Sequence, residues 1–288
     1  MRRIKDLLDT IKFEHTVFAL PFAMLSLLLA ADGFPSLHDF AWVLVAMVGA
    51  RSSAMMMNRI ADRHIDAENP RTATRQLPTA RVGLGSAWAF TIGASIAFLV
   101  AAWKLDPLAL RLAPVALALV WAYSWTKRFT WVSHLWLGLG LALAPLGAWI
   151  AVRGRLDGLP LLLGAGVLLW VAGFDTIYAC QDVDFDRRRG LRSLPARFGL
   201  GTALRLAQVF HVGMLAVFAA IGLLYDFGWL YAAGLVLVAA LVVAQHAIVA
   251  GDVRHGDLRH IDVAFFNVNS IVGVLLMAFA LADRFLLG

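Results

Sequence analysis

Polarity in this chain changes on the scale of whole segments, not of single residues. Apolar runs recur at roughly 13–31, 39–57, 83–103, 107–126, 131–152, 159–179, 205–225, 228–250 and 261–283. A run of about 20 apolar residues crosses the hydrocarbon core of a bilayer as an α-helix, the form that satisfies every backbone polar group within the segment. The pattern predicts an all-α, polytopic membrane protein of about nine transmembrane helices around a central cavity, one domain over residues 1–288. Residues 1–15 read as a basic amphipathic lead-in lying at the membrane surface. Most runs are joined by short turns, such as 32–39 and Asp106-Pro107. Two polar stretches, 58–82 and 175–197, break that rhythm.

Both stretches are acidic first and basic afterwards. In the first, Asn58, Asp62 and Asp66 stand four residues apart, so a helix would align them on one face; Arg71 and Arg75 follow Pro70. In the second, Asp175, Asp182, Asp184 and Asp186 precede Arg187, Arg188, Arg189, Arg192 and Arg197, and Asp182 and Asp186 repeat the spacing of four. Asp62 and Asp182 lie 120 residues apart, as do Asp66 and Asp186, and each stretch closes on Arg-x-Leu-Pro, at 75–78 and 192–195. This is a weak internal echo. Charges at helix ends often do no more than anchor the helices, but acids in basic loops contribute nothing to orientation, and the repeated spacing asks for a chemical reason.

Composition agrees with the membrane reading. The chain is 61% hydrophobic and 15% charged, against about a quarter charged in soluble domains. Of its 25 Lys and Arg residues, 19 fall in the N-terminal segment, the two polar stretches with their flanks, the Lys127-Arg128 turn and the 251–260 loop. The positive-inside rule then places the N-terminus and both acidic loops in the cytoplasm and the C-terminus outside. The net charge of +6 is confined to these loops, so no nucleic-acid partner is expected; the lipid bilayer is. The lone Cys180 excludes a disulfide framework and a thiolate metal site. The histidines, His134 and His211 among them, form no metal-binding spacing.

Aligned carboxylates in a cytoplasmic cavity suit a hard cation. Mg²⁺ takes one or two carboxylates and completes its shell with water and phosphate oxygens. Two such clusters would hold a diphosphate between metal ions, with Arg and Lys covering the remaining oxygens. Departure of the diphosphate leaves an electrophile, and a membrane setting gives that electrophile a long hydrocarbon chain. Lys12, Lys127 and Arg128 are candidate phosphate contacts or snorkelling interfacial residues. Tyr178 and Phe174 stand beside the second cluster; Tyr178 suits cation–π stabilisation, and Phe174 suits packing. Gly138–Gly140 and Gly164–Gly166 read as helix-contact surfaces.

Asn58-x₃-Asp62-x₃-Asp66 with Arg71-Thr72-x₂-Arg75-x-Leu77-Pro78 resembles the first signature of the UbiA superfamily of intramembrane prenyltransferases. Phe174-Asp175-Thr176-Ile177-Tyr178-Ala179 followed by Asp182-x₃-Asp186 resembles the second, and Lys127-Arg128-Phe129-Thr130 resembles the family's basic turn after the fourth span. The resemblance covers nearly the whole chain. It implies a prenyltransferase of a bacterial-type inner membrane with Mg²⁺ as cofactor. A polyprenyl diphosphate would be ionised and the allylic cation captured by an aromatic acid, with loss of a ring proton. Asn58, Asp62, Asp66, Asp182 and Asp186 would hold the metal and diphosphate. Arg71, Arg75 and Lys127 would contact phosphate. Lys12 would stand near the acceptor, and Asp175 and Tyr178 near the acceptor or the cation.

Two positions depart from the fullest form of the family pattern: Arg59, where many members carry Asp, and Lys12-Phe-Glu-His-Thr in the first helix. They leave two acceptors open, 4-hydroxybenzoate in ubiquinone synthesis and a futalosine-type aromatic acid in menaquinone synthesis. A secondary transporter is the alternative of another class, disfavoured because the acids sit at helix ends on one side. A CDP-alcohol phosphotransferase would need an Asp-Gly-x₂-Ala-Arg signature, which is absent.

Overall fold

The computed structural model describes residues 6–7, 9–11, 18–255, 261 and 268–287. Lys12 and the start of the first expected span lie outside the described residues. Among these residues all regular structure is helical. The long elements are α1 (Leu20–Ala31), α2 (Leu37–Glu68), α3 (Leu84–Leu105), α4 (Pro107–Phe129), α5 (Ser133–Arg153) and α6 (Gly158–Tyr178). After a 3₁₀ turn at Ala179–Asp182 come α7 (Val183–Arg189), α8 (Leu194–Phe198), α9 (Leu200–Leu224), α10 (Trp229–His255) and α11 (Asn269–Ala282), closed by a π turn at Asp283–Leu287. Eight of the described helices are long and apolar enough to span a membrane, and α1 is a shorter apolar helix inside the first expected span. The polytopic all-α expectation is met.

The chain divides into two compact units, 1–16 with 36–125, and 17–35 with 126–288. In the first, α2 and α3 approach backbone to backbone. A Cβ on Gly49 would lie 2.9 Å from the Ala94 carbonyl oxygen and from the Phe98 nitrogen, so only glycine permits the crossing. One turn on, Ser53 Oγ and Ser95 Oγ are 2.8 Å apart, and Trp121 Nε1 donates to Ser53 Oγ at 2.8 Å. These bonds hold three helices in fixed register without needing a hydrophobic driving force, which lipid does not supply.

The second unit is built around α6. Trp170 on that helix is fully buried, with the rings of Phe22 and Phe174 at 5.2 and 5.0 Å. Its indole N–H donates to Asn269 Oδ1 at 3.0 Å, so the one polar atom of the ring is satisfied by α11. Phe174 is therefore a packing residue, as its position suggested. Gly138 of α5 lies against the Leu168 carbonyl of α6 and Gly166 against the Phe218 ring of α9, which bears out the small-residue stripes as contact surfaces. At the far end of the chain Asp283 accepts from the backbone N–H groups of Gly228, Leu230 and Tyr231 at 2.6, 3.1 and 3.2 Å. A carboxylate thus caps the start of α10, where unpaired donors and the positive end of the helix dipole coincide.

A cleft of about 380 Å³ opens between the end of α5 and the start of α6, lined by Trp149, Arg153, Asp157, Tyr225 and Arg284 among others. Asp157 there accepts from the Trp149 indole at 2.9 Å and pairs with Arg155 at 3.0 Å. The indole bond and the Arg155 charge hold its carboxyl below the usual aspartate range. The 21 residues of α6 separate this cleft from Asp175 and Tyr178 by roughly 30 Å, so it is not where the second acidic cluster works.

Candidate active site

The first cluster is helical. No Gly or Pro occurs between Asn58 and Asn69, so α2 runs on past its apolar part to Glu68, and the expected 58–82 loop is shortened by eleven residues. Asn58, Asp62 and Asp66 therefore share a helix face, as their spacing predicted. Asn69, the residue before Pro70, turns extended (φ −87°, ψ 118°), the conformation a following proline imposes. Asn69 Oδ1 then accepts from the Arg71 N–H at 3.0 Å, and Thr72 Oγ1 donates back to the Asp66 carbonyl at 2.9 Å. This turn returns the chain toward α2 and brings Arg75 to Asp66.

Arg75 Nη1 donates to both oxygens of Asp66, at 2.7 and 2.8 Å. Arg59, also buried, lies 3.9 Å from the same carboxylate and donates through Nε to the Thr10 carbonyl at 3.3 Å. Asp66 is 6% exposed and so meets two guanidinium groups in a poorly hydrated place, where a lone carboxylate would be strongly disfavoured. Arg59 occupies the position that resembles an Asp of the family motif. Asn58 Nδ2 donates to Asp62 Oδ2 at 3.0 Å, which leaves the amide oxygen of Asn58 as a possible ligand. Both Asn58 and Asp62 are half-buried, and Arg71 is exposed.

The second cluster lies where α6 gives way to the 3₁₀ turn. Asp175 sits one turn before the end of α6, and Tyr178 is its last residue. Asp182 is the residue before α7, and Asp186 lies within the helix. Gly190 (φ 71°) ends α7 in the left-handed region that glycine adopts without penalty. Three consecutive residues then act as a brace. Arg192 donates from its backbone to the Lys127 carbonyl at 2.7 Å and from Nη1 to the Phe129 carbonyl at 2.6 Å. Ser193 Oγ donates to Asp186 Oδ2 at 2.8 Å and caps α8. The Leu194 N–H donates to His134 Nε2 at 3.3 Å, and the other ring nitrogen of His134 is 2.7 Å from Asp175 Oδ2.

The structure thus gathers Asp175, Asp186 and the Lys127 backbone around one short segment. Asp182 and Asp186 are buried at 7% and 2% exposure; Tyr178 and Lys127 are half-buried. His134 and Ser193, both fully buried, are site residues that sequence reasoning missed. Ser193 had a local signal, since a Ser before Leu-Pro is a helix start. His134 had none, because its partner lies 41 residues away.

The donors in both clusters are carboxylates and an amide, which match the oxygen preference of Mg²⁺ and not that of a thiophilic metal. No group of three His, Cys, Asp or Glu residues that could hold a metal was found among the described residues.

A model of the UbiA prenyltransferase family matches residues 19–280. The chain belongs to the UbiA prenyltransferase family. It is a prenyltransferase. A 4-hydroxybenzoate octaprenyltransferase of Aromatoleum aromaticum is 30% identical over 254 residues, covering 88% of this chain and 84% of that protein. A 4-hydroxybenzoate octaprenyltransferase of Salmonella paratyphi B is 31% identical over 265 residues, covering 89% and 87%. The solved structure of a UbiA homolog from Aeropyrum pernix K1 superposes with a TM-score of 0.83 at 36% identity, over 94% of this chain and 98% of that one. A UbiA homolog from Archaeoglobus fulgidus, solved with GPP and Mg²⁺, shares the fold with a TM-score of 0.72 at 18% identity, over 97% and 99%.

Proposed function

We propose that this UbiA-family enzyme transfers a polyprenyl group from a polyprenyl diphosphate to the ring of an aromatic acid in quinone biosynthesis, with 4-hydroxybenzoate as the acceptor. The observation that carries this reading is the pair of buried carboxylates Asp182 and Asp186 beside the Asp175-bearing end of α6, with Ser193 fixing Asp186. The names of the relatives support the acceptor. The single family match across both units supports their working as one catalytic domain.

Asn58, Asp62, Asp66, Asp182 and Asp186 would hold Mg²⁺, which when bound supplies positive charge against the departing diphosphate. Arg71 and Lys127 contact phosphate oxygens. Arg75 serves twice: Nη1 holds Asp66, and Nη2 remains for a phosphate oxygen. Lys12 meets the carboxylate of the acceptor, and the ring of Tyr178 faces the allylic cation. After the new C–C bond forms, the ring C–H bond breaks, its electron pair restores aromaticity, and Asp175 takes the proton. The enzyme works in a bacterial-type inner membrane with both clusters at the cytoplasmic face.

The test is an acceptor panel on purified protein in lipid, with Mg²⁺, a polyprenyl diphosphate and either 4-hydroxybenzoate or a futalosine derivative, products read by mass spectrometry. Prenylated 4-hydroxybenzoate is expected, and a chelator is expected to remove all product until excess Mg²⁺ restores it. Product from the futalosine derivative alone would move the enzyme to menaquinone synthesis. No prenylated product and no Mg²⁺-dependent diphosphate release would overturn the reading.

A further inference from the structure

His134 is fully buried at the first turn of α5, in a place where a polar ring is retained only if its nitrogens are bonded. Both are. The Leu194 backbone N–H can only donate, so Nε2 of His134 is the acceptor of that bond. The tautomer follows from the network: the ring proton is on Nδ1 and is donated to Asp175 Oδ2 at 2.7 Å. Asp175 Oδ1 takes no hydrogen bond among the described residues. Asp175 is 9% exposed, so its carboxyl is not wholly sealed off. The Leu194 end of the network is itself fixed, since Arg192 is bonded to the Lys127–Phe129 turn and Ser193 to Asp186.

We propose that His134 is a positioning residue for Asp175. It holds one carboxylate oxygen so that the other faces the aromatic acceptor, and the 192–194 brace ties that orientation to the Asp186 cluster. This rests on the reading that Asp175 takes the ring proton. A carboxylate held from one side presents its remaining oxygen in a fixed direction, which favours proton transfer because geometry precedes basicity in such steps. Residues that orient a reacting group in this way typically matter by about 10–100-fold.

The test compares His134→Leu, His134→Asn and Asp175→Asn with the parent enzyme, measuring kcat and the KM of both substrates. His134→Leu is expected to lower kcat by roughly 100-fold while the KM for the prenyl diphosphate stays within about twofold, because Asp182 and Asp186 are untouched. His134→Asn, whose amide N–H occupies the place of Nδ1–H, is expected to recover at least about tenfold of that loss. The double variant with Asp175→Asn is expected to be no slower than Asp175→Asn alone. An unchanged kcat in His134→Leu, a parallel rise in prenyl diphosphate KM, or an asparagine variant no better than leucine would overturn the proposal. Full activity in Asp175→Asn would instead overturn the role given to Asp175. Thermal unfolding of each variant identifies one that fails to fold; if that is His134→Leu, His134→Asn is read against the parent, with a kcat within about tenfold and an unchanged prenyl diphosphate KM expected and a larger loss overturning the proposal.

Discussion

Asp182→Ala and Asp62→Ala are each expected to reduce turnover by at least about a thousandfold while the protein still inserts in the membrane. The reasoning is electrostatic. A factor of a thousand corresponds to about 4 kcal/mol of transition-state stabilisation, within what a Mg²⁺ ion held by these carboxylates would supply to a departing diphosphate in a water-poor site. Asp182 is 7% exposed and stands at the start of α7, so bulk water has little access to take over from its carboxylate. Asp62 is oriented by the amide of Asn58 at 3.0 Å. Neither belongs to a hydrophobic core cluster, so alanine should leave helix packing intact. The measurement is Mg²⁺-dependent diphosphate release, with membrane insertion followed by extraction and size-exclusion profile. Undiminished release in either variant sinks the metal assignment.

The second large effect is expected at Arg75. Arg75→Leu removes both bonds from Nη1 to Asp66 and leaves that buried carboxylate, among the described residues, with Arg59 at 3.9 Å. The bonds to Asp66 bear on stability; the contact from Nη2 to the departing diphosphate bears on rate, and losing about 3 kcal/mol of stabilisation there corresponds to roughly a hundredfold fall in kcat/KM. A lower unfolding temperature should accompany it, because an unpaired buried charge destabilises the fold. Arg75→Lys separates the two duties of the residue. One ammonium nitrogen can meet both Asp66 oxygens as Nη1 does, but no second nitrogen remains for phosphate. Lysine should restore most of the thermal stability and leave the prenyl diphosphate KM raised. Equal stability of Arg75→Leu and the parent would show that Arg59 alone satisfies Asp66.

Much of this was legible in the sequence. The apolar runs located the spans because a bilayer demands length and hydrophobicity and little else. The spacing of four aligned Asn58, Asp62 and Asp66, because α2 meets no breaker before Pro70. The stretch 58–68 reads as loop only if polarity marks a boundary; a helix does not need an apolar face once it leaves the membrane. What stayed hidden were contacts between residues distant in the chain. A spacing of seven puts Arg59 and Asp66 on one face of α2, but nothing local to Arg59 announces its bond to Thr10, 49 residues away. Nothing near His134 points to Asp175. The Arg-x-Leu-Pro echo was visible, but its two copies do different work: Arg75 pairs with Asp66, and Arg192 grips the Lys127–Phe129 turn. A shared string fixes a local turn and leaves the partner to tertiary packing.

The carboxylate of Asp283 has a practical consequence for deciding which side of the membrane the C-terminus faces. Reporter enzymes fused to the tail are the usual way to read that side, and the joint is often made by trimming the last residues. Here trimming through Asp283 would strip the cap from α10 and leave the N–H groups of Gly228, Leu230 and Tyr231 without their acceptor. Such a fusion is expected to give low or mixed reporter signal through misinsertion of the final hairpin. A reporter joined after Gly288 should report cleanly from the outer side. A clean signal from both fusions would mean that the hairpin inserts without its cap.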